Sequence, residues 1–256
     1  MKMGLTDKII VVTGAASGIG MAVAQALAEE GVGGLMLTDR DGAGLKRAAA
    51  GLPGQVACVV ADLVDPVAPR AIANAAKARF GRIDGLVNAA GLTTRASFET
   101  ATLEVWDQLF AINARAAFFL MQAAIADMRG RKAAGSIVNI LSINALCGTP
   151  DLAIYSGTKG ALSTLTKNAA RAHMAQGIRV NGINLGWVAT AAEDNMQANI
   201  LGRRPGWLAE DSAGQPLGRL IAPEEAARLV VFLLGDASIP MSGSIVDFEQ
   251  KVAGAV

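Results

Sequence analysis

One stretch near the N-terminus restricts the fold more than any other. Lys8-Ile9-Ile10-Val11-Val12-Thr13 is an uninterrupted apolar run, the pattern of a strand buried on both faces of a parallel sheet. It passes directly into Thr13-Gly14-Ala15-Ala16-Ser17-Gly18-Ile19-Gly20. The next stretch, Met21 to Glu30, has helically spaced apolar residues and stops at Gly31. Glycines 14, 18 and 20 let the turn close and let the backbone approach a pyrophosphate, whose charge is favoured at a helix N-terminus. A tight connection with no ligand is the plainer reading of three glycines, and the flanking strand and helix weigh against it.

The chain then alternates. Gly34 to Thr38 reads as a second strand ending at Asp39, nineteen residues past Gly20. An acidic side chain there accepts hydrogen bonds from adenosine ribose hydroxyls and repels a 2′-phosphate, which favours NAD over NADP. Arg40 follows at once and is able to meet a phosphate, so both nucleotides stay open. Gln55 to Ala61 is a third strand, with Asp62-Leu63 at its C-terminal end, where Asp62 suits an adenine edge or simply faces solvent. A helix is expected from Val67 to Phe80, after Pro66 and before Gly81. Ile83 to Asn88 is a fourth strand running into Ala89-Ala90-Gly91, small residues that leave room for a ligand. Alternating β and α with short connections argues for an α/β, doubly wound parallel sheet.

In the second half, Leu103 to Met128 reads as one long helix given bulk by Phe98, Trp106 and Phe110, with Asn113 inside it. That amide, among Ile112, Ala114 and Ala116, is either a satisfied core contact or a site residue. Ser136 to Leu141 is a fifth strand that places Ser142 on the ligand side of the sheet. Tyr155 to Met174 is helical, Ile178 to Asn184 a sixth strand, Pro223 to Leu234 a last helix and Ser244 to Asp247 a seventh strand. The weakly patterned segment 187–218 is expected to form a substrate lid on a single domain spanning 1–256.

Tyr155 and Lys159 stand four apart, so on a helix they share a face. A phenol titrates near pH ~10, and a neighbouring ammonium favours its anion, which turns a tyrosine into a proton acceptor or donor. The pair alone is common by chance; its company gives it weight. His173, the only histidine, is expected at a helix end, and its solitude excludes a Ser-His-Asp triad and most zinc sites, so no metal is expected.

Composition removes other classes. A net charge of +1 leaves no electrostatic footprint for nucleic acid or anionic membrane. No apolar run is expected to reach the ~18 residues of a membrane span. Cys58 and Cys147 are the only cysteines, which suggests a reducing compartment, and with no targeting pattern a cytoplasmic protein is expected.

With these residues in view, the chain resembles the short-chain dehydrogenase/reductase family in its compact form, from about Lys8 to Asp247. The motifs are T-G-x-x-x-G-x-G at Thr13–Gly20, N-A-A-G at Asn88–Gly91, Asn113, Ser142, Y-x-x-x-K at Tyr155–Lys159, and Asn181 with Gly186. The resemblance implies a Rossmann-type sheet of seven mainly parallel strands with helices on both faces. It implies hydride transfer between a secondary alcohol or ketone and a nicotinamide. Tyr155 would exchange the hydroxyl proton, Lys159 would lower its pKa and hold the nicotinamide ribose, Ser142 would bind the substrate oxygen, and Asn113 would anchor a relay water. Gly14, Ser17, Gly18, Ile19, Gly20, Asp39, Asp62, Leu63, Asn88, Ala89, Gly91, Val188 and Thr190 would line the NAD site with Tyr155 and Lys159. Substrate would meet Ser142, Asn144, Tyr155, Gly186 and Trp187.

Similarity to polyol-oxidising members, Asp39, and polar Thr94, Arg95, Asn144, Glu193 and Gln197 point to a polyol or sugar alcohol. The alternatives are an NADPH-dependent 3-oxoacyl or other ketone reductase, and a non-catalytic nucleotide-binding protein, against which the complete Asn113, Ser142, Tyr155, Lys159 set argues. A homotetramer built through the two long helices is implied, with Ala116-Ala117 and Ala169-Ala170 permitting close packing. Two departures are expected to matter. Leu185 stands where the family has proline, predicting a looser loop, and Phe248-Glu249-Gln250 replaces a glycine pair after Asp247.

Overall fold

The computed structural model describes residues 3–146 and 148–252, so Cys147 lies outside the described residues. The strands are β1 (Ile9–Thr13), β2 (Gly34–Asp39), β3 (Val56–Val60), β4 (Gly85–Asn88), β5 (Gly135–Ile140), β6 (Ile178–Leu185) and β7 (Ile245–Phe248). They form one seven-stranded sheet in the order β3-β2-β1-β4-β5-β6-β7. Every pairing is parallel, where the sequence predicts mainly parallel. The winding reverses between β1 and β4, which opens a crevice above their carboxyl ends. The helices are α1 (Gly18–Glu29), α2 (Gly42–Ala50), α3 (Ala68–Phe80), α4 (Leu103–Phe110), α5 (Ala117–Gly130), α6 (Ala153–His173), α7 (Ala191–Asn195), α8 (Trp207–Ala213) and α9 (Pro223–Leu234).

Strand alternation builds the two-sided core. Ile10, Val12, Leu35 and Leu37 pack with α1 and α9 on one face. Val11, Met36, Leu86 and Ile137 pack with α3, α5 and α6 on the other. At β6, Arg179 is 5% exposed and donates to the carbonyls of Leu233, Leu234 and Gly235 and to Ser238 Oγ, sealing the C-terminal end of α9.

Several elements differ from expectation. Residues 41–54 carry α2, which the sequence pattern does not signal. Gly44 and Leu45 are its buried residues, so the apolar stripe is too thin to read, and Asp41 starts it by accepting the Gly44 N–H at 2.9 Å. The single helix expected from Leu103 to Met128 is two helices joined by a π-helical turn at Ala111–Ala116. Phe98 gives that helix no bulk, being 97% exposed in a turn before it.

The stretch Leu103–Gly130 is also long and apolar enough to cross a membrane by length and composition, which corrects the expectation that none reaches that length. The most apolar window is 61% buried inside the protein, in contact with α3 and β4. Ala116, Ala117 and Ala170 are buried in the chain's own core, so these alanines offer no face to a second subunit. The outward residues beside them are Phe118 and Phe119. Leu185 does not loosen its loop. It is buried, pairs with Phe248 and extends β6, and Gly186 N then donates to Phe248 O at 3.0 Å.

Candidate active site

The glycine turn fits a dinucleotide. Gly14 and Gly18 have φ of 67° and 53°, the left-handed region. A Cβ on Gly20 would lie 2.1 Å from Gly14 O, and one on Gly14 would lie 2.9 Å from Ala90 backbone atoms. Thr13 Oγ1 accepts from Ala89 N at 3.1 Å and Ala90 N at 3.0 Å, which ties the end of β4 to the end of β1. Ser17 is the N-cap of α1 but its side chain makes no capping bond, and the first turn holds no acidic residue. The positive end of α1 is therefore available to a phosphate. Ile19 is half-buried against the core beneath the turn.

Asp39, at the end of β2, accepts Ala16 N at 3.1 Å and Asp41 N at 3.0 Å, so its carboxylate lies beside the turn. Arg40 is exposed. Asp62 is exposed and accepts Val64 N at 2.9 Å, while Leu63 is half-buried against the core. Asn88 donates to Asn139 Oδ1 at 2.8 Å, and its own buried Oδ1 has no partner. Asn139, which lies within the fifth strand and belongs to none of the motifs, passes the network on to Thr166 Oγ1 at 2.8 Å. Its signal is a buried amide inside an apolar strand.

The chemistry-bearing residues converge at the carboxyl ends of β4 and β5. Ala96 and Leu152 form a bridge that fixes the entry of α6 against residues 92–97. Tyr155 and Lys159 follow on one face of α6, 8% and 4% exposed, with Lys159 Nζ 5.8 Å from the phenol ring centroid. Lys159 Nζ donates to Ile140 O at 2.7 Å, which anchors the ammonium on the end of β5. Ser142 Oγ accepts Asn144 N at 3.2 Å and Asn144 Nδ2 at 3.4 Å. Oγ thus accepts twice, which leaves its own proton free to be given to the phenol oxygen or to a substrate oxygen.

Proximity does not decide the protonation state. Burial pushes the Tyr155 phenol up to about 12; the Ser142 hydrogen bond works against that, and the Glu193 charge adds to it. Burial also brings Lys159 down to about 8. Burial of both groups is the largest influence on each, moving the phenol up and the ammonium down.

Asn113 is 1% exposed in the π turn. Its Oδ1 accepts Leu92 N at 2.9 Å, and its Nδ2 donates to Leu92 O at 2.9 Å and Thr158 Oγ1 at 3.0 Å. Both Nδ2 protons are committed, while Oδ1 keeps a second lone pair. A Cβ on Gly91 would meet Asn113 Oδ1 at 3.4 Å and Lys159 Nζ at 3.6 Å, so the backbone passes close to both.

Residues 1 to 256 match a known family description over most of their length. A family model described as enoyl-(acyl carrier protein) reductase matches residues 14–249. The chain belongs to the short-chain dehydrogenase/reductase family. Among its relatives, 2-(S)-hydroxypropyl-CoM dehydrogenase 3 of Xanthobacter autotrophicus is 34% identical over 249 residues, covering 95% of this chain and 96% of the relative. Gluconate 5-dehydrogenase of Gluconobacter oxydans is 34% identical over 241 residues, covering 92% and 91%. The solved structure of L-sorbose reductase from Gluconobacter frateurii, complexed with NADPH and L-sorbose, superposes with a TM-score of 0.93 at 29% identity over 100% of both chains. The protein is thus a nicotinamide-dependent oxidoreductase of alcohols and ketones.

After β6, segment 187–218 of this short-chain dehydrogenase/reductase holds more regular structure than its sequence pattern implies. It holds α7, a π-helical turn at Met196–Ile200, and α8. Trp187 and Trp207 stack with centroids 6.0 Å apart. Trp207 Nε1 donates to Asp194 Oδ1 at 2.9 Å. Val188 bridges to Ile221, and Thr190 caps α7 with its methyl 3.4 Å from where a Gly18 Cβ would be. Glu249 presses on Gly186, where any side chain would collide with its carboxylate. Arg95 is held by Asp151 at 3.0 Å, and His173 Nδ1 pairs with Gln176 Oε1 at 2.9 Å on the end of α6.

Proposed function

We propose that the protein is an NAD-preferring alcohol dehydrogenase that interconverts a secondary alcohol and its ketone, with a polyol or sugar alcohol as substrate. The observation that carries this reading is the buried Ser142–Tyr155–Lys159 constellation beside the glycine turn. When bound, the nicotinamide ring supplies the hydride acceptor or donor. In the oxidising direction Tyr155 takes the alcohol proton while Ser142 holds the substrate oxygen. Lys159, anchored on Ile140 O and titrating at about 8, carries its charge at neutral pH and passes the proton onward. Asn113 anchors the water that receives it.

The preference for NAD rests on Asp39, whose carboxylate lies beside the turn, with Asp41 next to it. The NADPH reading is favoured by exposed Arg40 and by the NADPH of the sorbose reductase complex. Segment 187–218 acts as the substrate lid of a single catalytic domain. The enzyme works in the cytoplasm as a homotetramer, with exposed Trp106, Phe118 and Phe119 supplying apolar surface to subunit contacts. A monomeric mass in light scattering would remove the tetramer.

The test is NADH formation across polyols, sugars and simple secondary alcohols, repeated with NADP. Turnover with NAD on one polyol class is expected. Silence with NAD but activity with NADPH on keto substrates would hand the assignment to the reductase reading.

A further inference from the structure

Glu193 stands one turn into α7, where Thr190 Oγ1 accepts its backbone N–H at 3.1 Å. Thr190 itself lies against Gly18, so this carboxylate is carried by the segment that touches the cofactor turn. Two donors hold it: Trp187 Nε1 at 2.9 Å and Gln197 Nε2 at 2.7 Å, both on Oε1. Gln197 is 4% exposed, and Trp187 is backed by the Trp207 ring, so the mount is rigid. Among the described residues Oε2 accepts no hydrogen bond, and no cation pairs with the carboxylate. The lid's Arg203 is engaged by Asp211 and Glu210 instead. Trp187 follows the end of β6, which lies beside the end of β5 that leads into Ser142, where Leu141 N donates to Ile183 O at 2.8 Å, so Glu193 is mounted on the same carboxyl-end face as Ser142.

Oε2 is not among the buried atoms left without a partner, so it keeps an open lone pair that a ligand O–H can take in place of water. The reacting hydroxyl belongs to Tyr155 and Ser142. The donor that reaches Glu193 must therefore sit elsewhere on the same substrate. We propose that Glu193 is a specificity-determining residue whose Oε2 accepts a hydrogen bond from a second hydroxyl beside the reacting carbinol, selecting vicinal diols and polyols over simple secondary alcohols. This rests on the alcohol dehydrogenase reading above and adds the residue that makes the choice.

The test uses matched pairs: vicinal butanediol against secondary butanol, and vicinal cyclohexanediol against cyclohexanol, each with NAD and NADP. Glu193→Gln keeps an oxygen for Trp187 and Gln197 while removing the charge and the second acceptor. Wild type is expected to favour the diols at least ~10-fold in kcat/KM, the scale of one hydrogen bond to a charged group. Glu193→Gln should cut the diols about 10-fold relative to their paired mono-alcohols, any effect of the lost charge on the phenol being shared by both members of a pair, with NADH binding by fluorescence and melting temperature unchanged. An equal fall on both members of a pair would mean Glu193 only holds the lid, and would overturn the proposal. So would a wild-type preference for the corresponding amino alcohols, which would make the partner an ammonium. If wild type binds NADH yet turns over no alcohol or ketone of the panel, the dehydrogenase reading itself fails and the proposal falls with it.

Discussion

Ser142→Ala acts on the atom that sets the phenol. Asn144 gives Ser142 Oγ two N–H donors, at 3.2 Å and 3.4 Å, which leaves the serine proton free for Tyr155, where a Ser142 hydrogen bond opposes the burial that pushes the phenol up to about 12. A hydrogen bond to a charged partner contributes ~1.5–3 kcal/mol, and one pKa unit is ~1.4 kcal/mol. Alanine removes a donor that stabilises the phenolate only. The anion is disfavoured and the pKa rises, by about 1–2 units. Alcohol oxidation that needs the phenolate should then slow about 10- to 100-fold at any pH below its plateau. The assay is kcat/KM for NADH formation followed up the rising limb to its plateau, as far as the fold withstands alkali, with dinucleotide affinity measured separately. The rising limb should move up by that 1–2 units while the affinity for dinucleotide holds. The substrate also loses its bond to Ser142, which lowers the plateau at every pH; the displaced limb is the specific readout. A uniform fall with the limb in place would confine Ser142 to the substrate and refute the proton argument.

Three other outcomes are expected. Tyr155→Phe should keep dinucleotide binding and lose at least ~100-fold of turnover, the usual scale of a general acid–base group, and comparable activity in stopped assays would remove Tyr155 from its role. Gly20→Ala places a methyl 2.1 Å from Gly14 O, backbone that cannot swing away. The turn must shift at a cost of ~1–3 kcal/mol, so fluorescence titration should show dinucleotide affinity reduced about 5- to 150-fold, and native affinity would contradict the crowding. Arg179→Met strips donors from the Leu233, Leu234 and Gly235 carbonyls and Ser238 in a buried site. A loss of ~3–5 kcal/mol should lower the melting temperature by roughly 6–20 °C, and a shift within about 2 °C would show that water replaces the guanidinium.

What was legible in the sequence was what is local. The apolar run at Lys8–Thr13, the glycines at 14, 18 and 20, and the four-residue spacing of Tyr155 and Lys159 each state a backbone requirement within one or two turns of chain. From these the strand–turn–helix unit, the parallel sheet and the shared helix face follow without knowledge of the rest. The tertiary structure decided whatever depends on neighbours distant along the chain. Helix α2 has so thin an apolar stripe that the crossover from β2 to β3 makes it, and the π turn sets Asn113 on Leu92, twenty-one residues away. Segment 187–218 is pinned by indoles at 187 and 207, whose meeting no periodicity announces. The phenol's pKa is the clearest case. Sequence spacing shows that an ammonium is near, but the direction of the shift depends on how much water remains around both groups, and burial is a property of the folded whole.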